Sequence, residues 1–194
     1  MSPSMRRPAI RRERLGPWRE LLKLPNGRTV LLRPIDPRDA EPLRAAFATL
    51  SAEEVRFRFM HPIKEMSPEL ARDLTVLDPR HSFALAVSEP EAPGEGLVGA
   101  VVRASIDPNT QVAEFALIVA RPLARQGLGT LLMRRMIEWC RRKRLHGVYG
   151  NILSDNVGML HLAEQLGFTR QHVQGEGGTV RVWLNLPQGK RLDA

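Results

Sequence analysis

The stretch that most constrains this chain runs from Val112 to Arg142 and reads VAEFALIVARPLARQGLGTLLMRRMIEWCRR. Val112–Val119 is rich in branched residues and too short for a typical helix, so it is read as a strand. Arg121 and Pro122 end it. From Leu128 the apolar residues fall at Leu128, Leu131, Leu132, Met136, Trp139 and Cys140, one stripe of a 3.6-residue helix. Arg134, Arg135, Glu138, Arg141 and Arg142 take the other face. Strand and helix are joined by Arg125-Gln126-Gly127-Leu128-Gly129-Thr130.

That joint has two readings. The first backbone amides of a helix lack partners and carry partial positive charge. Glycines there leave no side chain between the amides and an anion, so a pyrophosphate is a natural ligand, with Arg125 adding charge. The plainer reading is a tight turn whose glycines only permit close packing. No Gly-Lys-Ser/Thr follows, so this is not a Walker loop, and the third glycine of a dinucleotide fingerprint is missing. Downstream, Ser154 to Phe168 reads as a capped helix, with Met159, Leu162, Ala163 and Leu166 as its buried stripe. Asp155 or Asn156 caps its start, and Gly167 suits the left-handed residue just past its end.

Together these two stretches resemble the GNAT superfamily of acyl-CoA-dependent N-acyltransferases. The pyrophosphate loop of that family is Q/R-x-x-G-x-G/A, here Ala124-Arg125-Gln126-Gly127-Leu128-Gly129. Both glycines fit, whereas Ala124 departs from Gln or Arg, which removes a side-chain contact and leaves the backbone cradle. Its second signature, an Asn opening a helix that closes on Gly-Phe, is matched by Asn156 and Gly167-Phe168. The resemblance covers Leu22 to Leu186. It implies an α/β GNAT fold in a single domain, with a mixed sheet of about six to seven strands flanked by about four helices.

The rest of the composition agrees. Of 194 residues, 43% are hydrophobic, enough for one core. Lone Cys140 excludes an internal disulfide and reads as a buried core thiol. No apolar run approaches the ~20 residues of a membrane span, and no apolar core follows the basic start. A cytoplasmic protein without membrane contact is therefore expected. The five histidines are not set at metal-ligand spacing, so no metal is expected. Much of the net charge of +8 lies in Arg6, Arg7, Arg11, Arg12, Arg14 and the run Arg141-Arg142-Lys143-Arg144. This reads as a basic tail and a solvated helix end, or as a docking surface for an acidic protein. Nucleic acid is not the expected partner, and the oligomeric state is left open.

In chain order, residues 1–21 are expected to form a flexible basic tail, 22–187 the acyltransferase domain, and 188–194 a free end. Asn26-Gly27 is a hairpin turn before a strand at Thr29–Arg33. Asp36 or Asp39, Ser51 and Ser67 start helices. Strands are expected at Ser82–Val87, Leu97–Ile106, Val148–Leu153, Phe168–Gln174 and Thr179–Leu186, with a Gly-rich turn over 175–178.

The resemblance implies the site. Acetyl-CoA is the acyl donor, with its pantetheine arm beside Leu117, Ile118 and Val119. The backbone N–H of Ile118 or Val119 would serve the oxyanion. Arg125, Gln126, Gly127, Leu128, Gly129 and Thr130 would hold the phosphates, and Asn156 the arm. The Tyr that many members use as general acid is replaced by Ala163, and the only tyrosine is Tyr149. A thioester is already activated, so the demand on the protein is a neutral, aimed amine and a base. Strand alternation puts Val112, Glu114, Ala116 and Ile118 on one face. In such apolar company Glu114 would be partly desolvated and a good proton acceptor near neutrality. The alternative is an exposed Glu, or one paired with Arg103.

A narrower resemblance is to the acetyltransferase domain of bacterial protein lysine acetyltransferases that modify AMP-forming acyl-CoA synthetases. It rests on Leu32-Arg33-Pro34-Ile35 with Asp39-Ala40, Arg58-Phe59, Ala113-Glu114-Phe115-Ala116, and Leu153-Ser154-Asp155-Asn156 with Met159-Leu160. Those proteins place a catalytic Glu in the same Ala-Glu-Phe-Ala context. The implied acceptor is a primary amine, foremost a protein lysine. A small amine or amino acid, and a non-catalytic acyl-CoA-binding role, remain the other two readings.

Overall fold

The computed structural model describes residues 9–171 and 177–187. Its strands are β1 (Arg11–Gly16), β2 (Arg19–Lys23), β3 (Thr29–Pro34), β4 (Ser82–Ser88), β5 (Val98–Asp107), β6 (Val112–Val119), β7 (Gly147–Leu153), β8 (Thr169–Gln171) and β9 (Thr179–Asn185). The helices are α1 (Ala40–Phe47), α2 (Ala52–Phe59), α3 (Pro68–Thr75), α4 (Leu128–Arg142) and α5 (Val157–Gln165). All strands join one sheet in the order β1-β2-β3-β4-β5-β6-β7-β9-β8. The expected mixed sheet is present, with more strands and one more helix than expected.

Local chemistry sets the helix starts. Asp36 and Ser51 each make a reciprocal capping box, and the Ser67 hydroxyl accepts from Leu70 N at 3.1 Å. Asn156, not Asp155, caps α5, its Oδ1 accepting from Met159 N at 3.2 Å. Gly167 takes φ +91° just past that helix, as its position requires.

The sheet has two covered faces. On one, α4 buries Leu128, Leu132, Met133, Met136, Ile137, Trp139 and Cys140 against Leu85, Val102, Phe115, Val148 and Val182. The buried stripe is broader than the expected one: Met133 and Ile137 belong to it, and Leu131 is only partly buried. On the other face, Ile35, Ala84, Ala86, Val98 and Val101 meet Leu43 and Ile118. Behind them Phe47, Val55, Met66 and Ala71 pack α1, α2 and α3 together.

The described part of the expected basic tail is folded. β1 pairs with β2 from Arg11↔Lys23 to Gly16↔Arg19, and Trp18 turns between them at φ +58°. The β1 side chains are mostly exposed, as their composition dictates. The strand is held instead by its backbone ladder and by Trp18, which meets Phe83 edge-on at 5.1 Å. Residues 1–8 and 188–194 lie outside the described residues, as does the 172–176 part of the expected strand and Gly-rich turn.

Candidate functional site

The sheet opens in its middle. Every neighbouring pair is antiparallel except β6 and β7, which are parallel and joined over only Val112↔Gly147, Ala113↔Val148 and Glu114↔Tyr149. Beyond that, β6 continues to Val119 beside β5 while β7 continues to Leu153 beside β9. A wedge between the strands results, with Glu114 at its closed end.

The register decides which amides face the wedge. Ala120 N donates to Gly99 O at 2.9 Å, so Ala120 points its backbone groups toward β5. Backbone direction alternates along a strand, so Ile118 also points toward β5, and Leu117 and Val119 point toward the wedge. Of the two amides expected to serve an oxyanion, Ile118 is therefore turned away. The side chains divide the other way: Leu117 and Val119 pack on the α4 face, and Ile118 on the opposite one.

The two glycines of the pair are required for different reasons. Gly127 is the N-cap of α4 at φ 86°, after Arg125 at φ 60°. Space does not demand glycine there, since an added Cβ would meet Ile10 Cδ1 at an ordinary 3.5 Å. The left-handed backbone does. No side chain caps this helix and its first turn holds no acidic residue, which leaves the amides of Leu128, Gly129 and Thr130 without intrahelical acceptors. At Gly129 the demand is packing: a Cβ would lie 3.1 Å from Leu162 Cδ2 and 3.8 Å from Leu117 Cδ2. The loop start, β6 and α5 thus converge, and Asn156 opens that same α5. Exposed Arg125 flanks them, and Gln126 Oε1 accepts from Asn26 N at 3.0 Å, fastening the loop to the β2–β3 turn.

Glu114 is exposed, not desolvated among apolar neighbours. The Val112, Ala116 and Ile118 face is shared with residues that only the register brings in. On β5, Ser105 pairs with Glu114 and Arg103 with Ala116. From β7, Asn151 Nδ2 donates to Glu114 Oε1 at 3.3 Å, and Arg181 Nε holds Asn151 Oδ1 at 3.0 Å. Arg181 also lies 4.7 Å over the Tyr149 ring. Burial and the neighbouring Glu114 carboxylate raise the Tyr149 phenol above its ordinary value, against the pull of Arg181. Arg103 does not form an ion pair with Glu114 among the described residues; its Nη1 donates to Leu74 O at 2.6 Å. Ala163 is fully buried, so no side-chain acid stands there.

Two cavities meet on this face. The larger, about 800 Å³, lies between the sheet and α1–α3 and is lined by Ile35, Leu43, Phe47, Phe59, Val98 and Ile118 with Glu54, Arg58 and Arg103. The smaller, about 330 Å³, is lined by Glu114, Ser105, Ala116 and Asn151 together with Arg58, Phe59 and Arg103. Arg58 and Arg103 are common to both. Burial, followed by the like charge of Arg103, brings Arg58 down to about 10, with Glu114 opposing. An ion pair between Arg56 and Asp155 ties α2 to the residue before Asn156. Among the described residues no group of three His, Cys, Asp or Glu side chains could hold a metal ion, and no helix is long and apolar enough to cross a membrane.

Comparison with known proteins matches this geometry. A family model described as an acetyltransferase (GNAT) domain matches residues 29–169. An acetyltransferase of Pseudomonas aeruginosa is 32% identical over 148 residues, spanning 76% of this chain and 79% of that protein. The GNAT domain of S. lividans PAT superposes with a TM-score of 0.76 at 24% identity, covering 87% of this chain and 97% of the other. A spermidine N-acetyltransferase from Vibrio cholerae, solved in complex with CoA and spermine, gives a TM-score of 0.62 at 18% identity, over 81% and 95% of the two chains.

Proposed function

The chain belongs to the acetyltransferase (GNAT) domain family and is an acyl-CoA-dependent N-acyltransferase; we propose that it moves an acetyl group from acetyl-CoA to a primary amine, a lysine side chain of a protein. The observation that carries this is the wedge, which has backbone amides along one side, an uncapped helix start at its open end and a carboxylate at its closed end.

Each part has a task. The Leu128, Gly129 and Thr130 amides, with Arg125, bind the pyrophosphate. Leu117 and Val119 pair the pantetheine arm as a strand would, and the α5 start at Asn156 bounds it from the other side. With one amide at Val119 facing the wedge, the oxyanion donor is Val119 rather than Ile118. Glu114, oriented by Asn151, takes the proton from the incoming ammonium, directly or through one water, and the neutral amine attacks the thioester carbonyl. With Ala163 in place of a tyrosine, the thiolate leaves as such or takes a proton from water, and the attacking nitrogen gives up its second proton to that thiolate or to water as the tetrahedral intermediate collapses. The lysine acceptor draws its support from the stretches around Arg33, Arg58, Glu114 and Asn156, which resemble those of lysine acetyltransferases. An AMP-forming acyl-CoA synthetase is the protein acceptor they imply, and the cytoplasm the compartment.

Glu114→Gln tests the base. Turnover should fall by about 10²–10⁴-fold at neutral pH, while acetyl-CoA still raises the melting temperature. Raising the pH should recover part of the rate, because more of the amine is then neutral unaided. Near wild-type turnover would remove Glu114 from the mechanism. Release of CoA thiol with a purified acyl-CoA synthetase, a lysine peptide and a polyamine then sorts the acceptor; turnover of the polyamine alone would overturn the protein lysine.

A further inference from the structure

We propose that Arg58 and Arg103 form an anion subsite that seats a carboxylate carried by the amine acceptor, an inference that rests on the acetyl-transfer reading above. Both guanidiniums line the junction of the two cavities, beside the face that holds Glu114. Arg58 comes from α2 and Arg103 from β5, so the pair exists only in the folded sheet-and-helix packing.

Neither cation is neutralised there. Among the described residues no hydrogen-bond acceptor takes Arg58; its guanidinium lies 4.8 Å over the Phe59 ring. Arg103 spends one donor on Leu74 O and keeps the other four. Glu114 is the carboxylate that faces them. It forms no ion pair with either among the described residues, and against two guanidiniums it leaves a net positive site. Of the three acids lining the larger cavity, Glu91 is exposed on the β4–β5 loop and the other two are engaged in hydrogen bonds. Glu54 accepts from Ser51 and from Arg121 N, and Glu89 accepts from Leu97 N. Burial of both arginines, and their mutual repulsion at Arg58, lower their proton affinity. Two half-buried like charges are costly until an anion joins them. Guanidiniums match a carboxylate in shape and charge.

The substrate class is thus a primary amine with a carboxylate close by in the same molecule. That carboxylate is either the α-carboxylate of an amino acid or an aspartate or glutamate side chain next to a lysine. Two matched pairs separate the sources: a free amino acid against its carboxamide, and an end-blocked Lys-Asp peptide against its Lys-Asn counterpart. For the true source, wild-type kcat/KM should favour the carboxylate member by about 10- to 100-fold, mostly through KM. In Arg58→Gln and in Arg103→Gln that ratio should collapse toward one, and Arg58→Lys should restore part of it. Equal rates within both pairs, or a ratio that survives Arg58→Gln, would overturn the subsite. Calorimetric titration of the same ligands in the presence of CoA decides the matter without turnover. About 10-fold tighter binding of the carboxylate member to wild type, lost in Arg58→Gln, supports the subsite; equal binding to wild type overturns it. Absence of transfer to every acceptor with that binding difference intact would sink the acetyl-transfer reading alone.

Discussion

Asp39 offers the sharpest test of how the wall of the larger cavity is held. It is fully buried and accepts four hydrogen bonds: Arg33 Nη1 at 2.6 Å, Arg33 Nη2 at 2.8 Å, Asp36 N at 2.8 Å and Gly94 N at 3.1 Å. It thereby joins β3, the start of α1 and the β4–β5 loop, whose Glu89 and Glu91 line the larger cavity. Asp39→Ala would strand the Arg33 charge, itself 1% exposed, and the partly buried amides of Asp36 and Gly94. Removing one partner of a buried pair costs about 3–5 kcal/mol, and the orphaned amides add to it. At roughly 2–4 °C per kcal/mol for a chain of this size, the melting temperature should fall by about 10–20 °C. Asp39→Asn, which keeps the shape, should lose a large part of this, and the double change Arg33→Met with Asp39→Leu should recover much of it. Burial pushes the Asp39 carboxyl up, but the bonds from Arg33 and the two amides outweigh it and hold it below its ordinary 3.8. A carboxyl lowered on folding stabilises above its unfolded value and loses that contribution as pH falls through the folded one. The wild-type melting temperature should therefore decline below about pH 4 more steeply than that of Asp39→Asn. A drop of less than a few degrees in Asp39→Ala, or a double variant as unstable as the single one, would refute the account.

Further outcomes follow from other parts of the molecule. A hundredfold excess of acetyl-CoA over its dissociation constant should stabilise the wild type by about 2.7 kcal/mol, read as a thermal shift. Gly127→Val should abolish that shift while costing the free protein about 1–3 kcal/mol for its left-handed backbone; a full shift in the variant would exclude the loop. Cys140, whose thiol burial pushes up to about 12, should resist a thiol reagent at pH 8 until denaturant is added, and rapid native labelling would contradict its packing. Deleting residues 1–16 should lower the melting temperature by several degrees, because β2 then loses its outer partner; an unchanged value would return β1 to the status of a tail.

Much of the frame was legible because it is written in local chemistry. The bounds of α4 follow from a glycine start and a 3.6-residue stripe, the starts of α2, α3 and α5 from Ser and Asn caps, and the 3-10 turn Pro37–Asp39 that leads into α1 from the Asp36 cap. What was missed depends on residues far apart in sequence. β1 has no side-chain pattern of a half-buried strand, since both its faces meet solvent and its ladder does the holding. The company of Glu114 was misread because alternation along one strand names only its own neighbours; Ser105, Arg103 and Asn151 arrive through pairing with β5 and β7. Ile118 was offered as a donor for the same reason, as the direction of an amide depends on the partner strand.

The wedge itself has a sequence basis that pattern reading does not reveal. A Cβ on Gly150 would lie 2.5 Å from Phe115 Cε1, so the Phe115 ring fills the space that any other residue at 150 would need. That ring packs edge-on to Phe168 at 5.3 Å, within the core beneath α4 and α5. β6 and β7 are thus held together through Glu114 and Tyr149 by a glycine that admits the ring, and past that point β7 stays with β9 alone for four pairs, Gly150↔Val182 to Leu153↔Thr179. The closed end of the wedge, where the carboxylate stands, is therefore fixed by the Phe115–Gly150 contact. Gly150→Ala tests this. It should cost about 1–3 kcal/mol as the ring is forced aside. It should also lower turnover by displacing the backbone next to Glu114, while the thermal shift by acetyl-CoA, which the proposed mode of binding places at the far end of the wedge, persists. Turnover at the wild-type level in a destabilised variant would show that the contact serves the core alone.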